Sequence, residues 1–271
     1  VWGFGRPLIQ SVSTDINDFF LPGSQPLESG TFISVETCNN CHGQEAEPYD
    51  NWLGSMMSMS MKDPIFLASL VIANKDAPQS GDFCIRCHSP GGWLEGRSEP
   101  TDGSMLSGID LEGVHCHFCH KMIDPLNPNP DQGDSDYLAT LTLNNNIPTQ
   151  HGNGMFVVDS EDIRRGPYDN IQVNHDVLYS EFMTESEICA TCHDVSNPVF
   201  TKAPDGTYQP NTLGAEASSF DTYDMFPVER TYSEWKMSAY NTTTGGIPSE
   251  AFGGNKANVS SCQDCHMKDV T

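Results

Sequence analysis

The sequence predicts a mostly irregular fold with short α-helices and little β, in which the chain wraps an added filler. Two observations predict it. Only 37% of the 271 residues are hydrophobic, and 23 Gly and 18 Pro punctuate the chain. That is thin for a core built from side chains alone at this length. The ten cysteines also fall into five groups of one spacing: Cys38-Asn39-Asn40-Cys41-His42, Cys84-Ile85-Arg86-Cys87-His88, Cys116-His117-Phe118-Cys119-His120, Cys189-Ala190-Thr191-Cys192-His193 and Cys262-Gln263-Asp264-Cys265-His266. No cysteine is left over.

C-x-x-C-H is the attachment signature of c-type haem. Its two thiols add to the two vinyl groups on one porphyrin edge. The following imidazole then lies under the ring as the proximal iron ligand. Zinc ribbons use paired C-x-x-C groups, two per four-thiolate site, and five groups leave an orphan. A thioredoxin-like pair explains one group, and a disulfide framework explains no trailing histidine. The expectation is a multihaem cytochrome c wrapped around a chain of five covalent haems. Cys38, Cys41, Cys84, Cys87, Cys116, Cys119, Cys189, Cys192, Cys262 and Cys265 would hold them, with His42, His88, His120, His193 and His266 as proximal ligands. Five flat apolar porphyrins would supply the missing filler.

Lys plus Arg is 13 and Asp plus Glu is 37, a net charge of −24. Such a surface repels nucleic acid and anionic membranes. No run approaches the roughly 18 apolar residues of a spanning helix. Covalent haem attachment takes place on the oxidising side of the membrane, so the expected location is periplasmic or extracellular, for a secreted chain whose leader has been removed. The triplets at Asn241 and Asn258 match a glycosylation pattern that is common by chance.

Along the chain, residues 1–37 carry Pro7, Pro22, Gly23, Pro26 and Gly30 and read as an N-terminal arm. It is a surface strap or a segment that docks on a neighbouring subunit. Residues 38–271 form the pentahaem domain. Within it, Trp52, Leu53, Met56 and Met57 at helical spacing predict a helix over 49–61. Asp63-Pro64 reads as an N-cap and first helical residue, opening a helix over 65–74. Residues 123–170 read as a long irregular connection with one short strand near 155–158, and 203–228 are similar. Asp131, Asp134 and Asp136 offer hard oxygen ligands for Ca²⁺, but the glycine is misplaced for an EF-hand loop, and a solvated acidic turn is the better reading. A further helix is predicted over 232–240.

Two of these helices repeat one pattern. Tyr49-x-x-Trp52-x-x-Ser55-x-Met57 matches Tyr232-x-x-Trp235-x-x-Ser238-x-Tyr240. Each lies upstream of an attachment motif, at Cys84 and Cys262. The pattern, with the segments 113–120 and 175–193, resembles multihaem cytochromes such as the tetrahaem electron carrier of hydroxylamine oxidation and the subunits of extracellular cytochrome filaments. The resemblance covers most of 38–270. It implies a distal ligand at the last position of the helix, where that family carries histidine and these two copies carry Met57 and Tyr240.

Five of the nine histidines are proximal. His115, His117, His151 and His175 remain as distal candidates, one short of five. His115 and His117 flank the third motif and would reach a haem other than their own. The fifth ligand is either a methionine from Met56, Met57, Met59 and Met61, with Met57 favoured, or the iron is open or water-bound. The expected function is electron transfer along a haem relay, as a soluble shuttle or as the repeating subunit of a head-to-tail filament. Its partners would be redox proteins or copies of itself. The alternative is a reductase or oxidase acting on a small nitrogen or sulfur compound at an open haem, with Tyr240, Arg164 or Arg165 as helpers.

Overall fold

A computed structural model describes residues 11–43, 48–249 and 256–267. Residues 1–10 of the expected arm lie outside the described residues. The rest of that arm is laid along the body of the same chain. Leu21 is fully buried, and the Leu27 and Gly23 N–H groups donate to the carbonyls of Leu94 (2.6 Å) and Asn146 (2.7 Å).

The chain then runs through α1 (Val35–His42), α2 (Pro48–Leu53), α3 (Met56–Met59), α4 (Pro64–Asp76), α5 (Ser80–His88), α6 (Pro90–Leu94) and α7 (Cys116–His120). Next come β1 (Met122–Ile123), α8 (Gln132–Leu143), β2 (Val157–Val158), β3 (Arg164–Gly166) and β4 (Val177–Tyr179). The last part holds α9 (Glu187–His193), β5 (Val195–Lys202), β6 (Tyr208–Pro210), β7 (Met225–Glu229), α10 (Thr231–Met237), α11 (Ala239–Thr242), β8 (Ile247–Pro248), β9 (Asn258–Val259) and α12 (Cys262–His266). Among the described residues no helix is long and apolar enough to cross a membrane.

Local chemistry accounts for several boundaries. Asp63 caps α4 by accepting from the Ile65 N–H at 3.0 Å, with Pro64 at the first helical position. The helix expected over 49–61 is broken into α2 and α3, and Ser55 between them returns its hydroxyl to the Trp52 carbonyl at 2.6 Å. The acidic turn at 131–136 is the start of α8: Asp131 accepts from the Asp134 N–H at 3.1 Å. A residue that sequence reading offers as a turn or cation ligand is thus an N-cap. The expected strand near 155–158 contracts to β2, which pairs antiparallel with β1, Met122 opposite Val158. β3 and β4 pair in parallel, and β5 is flanked by β6 and β7, both antiparallel to it.

The main apolar cluster includes Phe32, Phe66, Leu70, Trp93, Leu94, Leu106 and Phe156. Ile85 and Phe118, from inside the second and third motifs, are part of it, with Cys84 and Cys119 packed against its side. Two attachment motifs are therefore fixed by the core itself.

Candidate functional site

Every C-x-x-C-H motif is helical, and the motif histidine is the last residue of α1, α5, α7, α9 and α12 alike. Helical spacing of three puts both cysteines of a motif on one face, with the histidine beside them. Side chains just ahead of three motifs cap the helices. Ser34 accepts from Glu36 N–H, His115 from Phe118 N–H (3.3 Å), and Ser261 from Asp264 N–H (3.2 Å). No two of the ten cysteines are joined in a disulfide.

The motifs meet one another. The thiol of Cys38 lies within hydrogen-bonding reach of Cys116, that of Cys87 reaches Cys192, and that of Cys189 reaches Cys262. Cys119 lies near enough to act electrostatically on both Cys189 and Cys192. His42 acts in the same way on His120, and His193 on His88. Numbering the sites by their motifs, site 1 adjoins site 3, site 3 adjoins site 4, and site 4 adjoins both site 2 and site 5.

The residues fit covalent haem. His88 donates its Nδ1–H to the Ser60 carbonyl at 3.1 Å, and His120 donates its Nδ1–H to the Arg165 carbonyl at 2.6 Å. A carbonyl can only accept, so each Nε2 keeps its lone pair, the tautomer that binds iron. Phe66 stacks on the His88 ring at 3.7 Å between centroids and 9° between planes, which fixes the ring's rotation. Burial pushes the Cys84 thiol up to about 11 and the Cys119 thiol up to about 12. They are neutral S–H groups, the form that adds across a vinyl group. Among the described residues no three His, Cys, Asp or Glu side chains converge as a metal site of their own. When bound, haem supplies one-electron iron chemistry, and the chain supplies attachment, axial nitrogen and environment.

The remaining histidines differ. His115 is 1% exposed; its Nδ1 accepts from Phe118, and its Nε2 is buried with no hydrogen-bond partner. That atom faces Gly91 of α6, where a Cβ would approach it to 2.8 Å. His117 has both ring nitrogens engaged: Nδ1 accepts from the Ile33 N–H at 3.1 Å and Nε2 meets Asp162 Oδ1 at 2.8 Å. Burial is the main cause that lowers both residues to about 4, so both rings are neutral. His151 pairs Nε2 with Asp124 Oδ1 at 2.8 Å and stacks on Phe182. His175 is exposed, sits beside β4, and acts electrostatically on His120 of site 3.

Met57 is half-buried in α3, and its carbonyl accepts from Val114 N–H at 3.0 Å, just ahead of site 3. Met61 is buried in the main cluster, whereas Met56 and Met59 are exposed. Of the residues expected to help an open iron, Arg165 is held between Asp134 and Asp159 (2.6 Å to the latter). Arg164 pairs with Asp162 at 3.1 Å, and Tyr240 lies exposed at the start of α11.

Sequence reading missed Arg86, inside the second motif. It is 1% exposed. Its guanidinium donates to the carbonyls of Gly154 (2.7 Å), Pro22 (2.9 Å) and Leu21 (3.2 Å) and lies over the Trp93 ring at 4.4 Å. Burial lowers it to about 10, so it stays charged at neutral pH. Also missed was buried Asp194, directly after the fourth motif, which accepts from Ser233 (2.9 Å) and Tyr223 (3.3 Å). The middle positions of a C-x-x-C-H motif carry no pattern that would have marked Arg86.

Residues 37–121 match the family model described as cytochrome c554 and c-prime, a span that takes in the first three motifs. No curated protein and no solved structure matches the chain. The family match and the iron-ready tautomers of His88 and His120 support a c-type cytochrome, one that holds haem c covalently and transfers electrons.

Proposed function

We propose that this protein is a five-haem electron relay working outside the cytoplasm. The observation that carries it is the contact between motifs: each of the five motif helices touches another through a thiol. Haems attached there follow one another as sites 1, 3, 4 and 5, with site 2 beside site 4. His175, which donates its Nδ1–H to the Asp176 carbonyl at 3.2 Å and so keeps its Nε2 lone pair, is the distal ligand the hydrogen bonding favours most. His115, His117 and His151 complete the histidine set only by giving up present bonds, His115 Nδ1 to the Phe118 N–H, His117 Nε2 to Asp162 and His151 Nε2 to Asp124, and Met57 supplies the fifth ligand. The two ends of the series reach the surface. Cys41 of site 1 is the one exposed cysteine of the ten, and α12 of site 5 buries no residue. Such ends suit electron exchange with a redox protein, or with a second copy in a head-to-tail filament. Denaturing mass spectrometry of the purified protein tests the reading. It should show the polypeptide plus five haem masses, and a count of four or fewer overturns it.

A further inference from the structure

We infer that the chain builds one haem-pair clamp twice, and that Tyr49, Trp52, Tyr232 and Trp235 are its positioning residues. The inference rests on the five-haem reading above. In the first copy, the Tyr49 hydroxyl donates to Glu36 Oε1 at 2.8 Å, two residues ahead of Cys38. On the same helix, Trp52 Nε1–H donates to the Val114 carbonyl at 2.8 Å, two residues ahead of Cys116. In the second copy, the Tyr232 hydroxyl donates to Glu187 Oε1 at 2.9 Å, two residues ahead of Cys189. Trp235 Nε1–H donates to the Ser260 carbonyl at 2.7 Å, two residues ahead of Cys262. Each helix then breaks at a serine whose hydroxyl returns to the tryptophan carbonyl, Ser55 at 2.6 Å and Ser238 at 2.7 Å. Each passes into a second short helix, α3 or α11.

The two copies therefore agree at six groups: a glutamate, a tyrosine, a tryptophan, a serine and two attachment motifs. Chain spacing does not impose this agreement. Tyr49 lies 13 residues from its glutamate and Tyr232 lies 45 from its own; Trp52 lies 62 residues from its carbonyl and Trp235 lies 25. The differences are insertions. In the first copy α4, α5 and α6, with the whole of site 2, enter between the clamp helix and site 3. In the second copy the β5, β6 and β7 sheet enters between site 4 and the clamp helix. Sequence order ties the first helix to the motif at Cys84; the hydrogen bonds tie it to the motif at Cys116.

The consequence is positional. One rigid helix holds the lead-in residues of two motifs at once, and in both copies the first cysteines of the clamped motifs meet, Cys38 with Cys116 and Cys189 with Cys262. Attachment sites on rigid elements keep a geometry that loops do not. Gly113 shows how close the first copy is drawn: a Cβ there would lie 2.5 Å from the Met57 carbonyl oxygen. Sites 1 and 3 form one clamped haem pair and sites 4 and 5 the other, and site 2 is an addition beside site 4.

Trp52→Phe and Trp235→Phe in the haem-loaded protein test this, because each deletes the N–H donor and keeps a ring. Closely spaced haems give a bisignate Soret circular dichroism signal from coupling of their transitions. Each variant should retain five haems and lose part of that signal, and the double variant should lose both parts. Tyr49→Phe and Tyr232→Phe, which remove only a hydroxyl, should act in the same direction. If a variant drops haem, peptide mapping should place the loss at sites 1 and 3 for Trp52 and at sites 4 and 5 for Trp235. Five retained haems with an unchanged Soret signal overturn the clamp, as does haem loss confined to site 2. Fewer than five haems in the parent protein would instead overturn the five-haem reading.

Discussion

Arg86 is a cation with no carboxylate at its tips, buried inside an attachment motif, and its replacement by methionine has a size that follows from its contacts. The variant keeps an unbranched apolar stem and deletes the guanidinium. Two carbonyls, those of Gly154 and Pro22, lose their donor, and that of Leu21 keeps only Gln25 Nε2. Leaving a buried acceptor unsatisfied costs about 1–3 kcal/mol. The contact with Trp93 adds about 1–2 kcal/mol for a desolvated cation over an aromatic face. Relief from burying a charge offsets part of this. The net expectation is a loss of about 2–4 kcal/mol, the stranded carbonyls and the lost aromatic contact less that relief. Arg86→Lys keeps the charge without the planar fork and should fall between parent and Arg86→Met. Guanidinium unfolding of the haem-loaded protein, followed by far-ultraviolet circular dichroism, reads the shift in midpoint at unchanged slope. The same variant should lower the midpoint potential of one haem, since a positive charge beside the iron favours the reduced form. A stability within about 0.5 kcal/mol of the parent, the usual range for an inconsequential surface change, would refute the reasoning.

Other outcomes follow from the same geometry. Arg165→Met should cost about 3–5 kcal/mol, because it leaves Asp134 and Asp159 buried without their cation; thermal unfolding reads it. Gly113→Ala should destabilise the protein and disturb site 3, since φ is +69° and the added methyl meets the Met57 carbonyl oxygen and Ser60 Oγ; an unchanged unfolding midpoint would contradict that. His175→Ala should leave one iron high-spin in the optical spectrum, because its Nδ1–H is bonded to the Asp176 carbonyl and its Nε2 is free to bind, and a fully low-spin spectrum would remove His175 from the ligand set. Met57→Ala should abolish a near-infrared His/Met charge-transfer band; if every band survives, Met57 is a packing residue.

Much of the attachment machinery is legible in the sequence because its chemistry is local. Three residues of helical spacing fix two thiols and an imidazole, so Cys84, Cys87 and His88 declare themselves without a fold. Asp63-Pro64 announces α4 for the same reason. The repeat of Tyr49, Trp52 and Ser55 at Tyr232, Trp235 and Ser238 is also legible, but its partners are not. Val114 lies 62 residues from Trp52, and only tertiary structure brings it closer than the nearer motif at Cys84. Asp131 illustrates another limit: its carboxylate serves a turn, a cation or a helix cap equally well, and Asp134 N–H decides the matter only once α8 has formed. Arg86 is the least legible, because nothing in the sequence shows that Gly154 and Leu21 will bring carbonyls to it.

The central claim is a continuous series of five haems in a stated order, and iron positions test it most directly. Anomalous scattering at the iron edge from crystals of the haem-loaded protein would locate every iron without reference to the chain. The account predicts five irons in one connected group, with site 3 between sites 1 and 4, site 5 beyond site 4, and site 2 beside site 4. Fewer than five irons, an isolated iron, or a site 1 iron whose nearest neighbour is site 2 would contradict it.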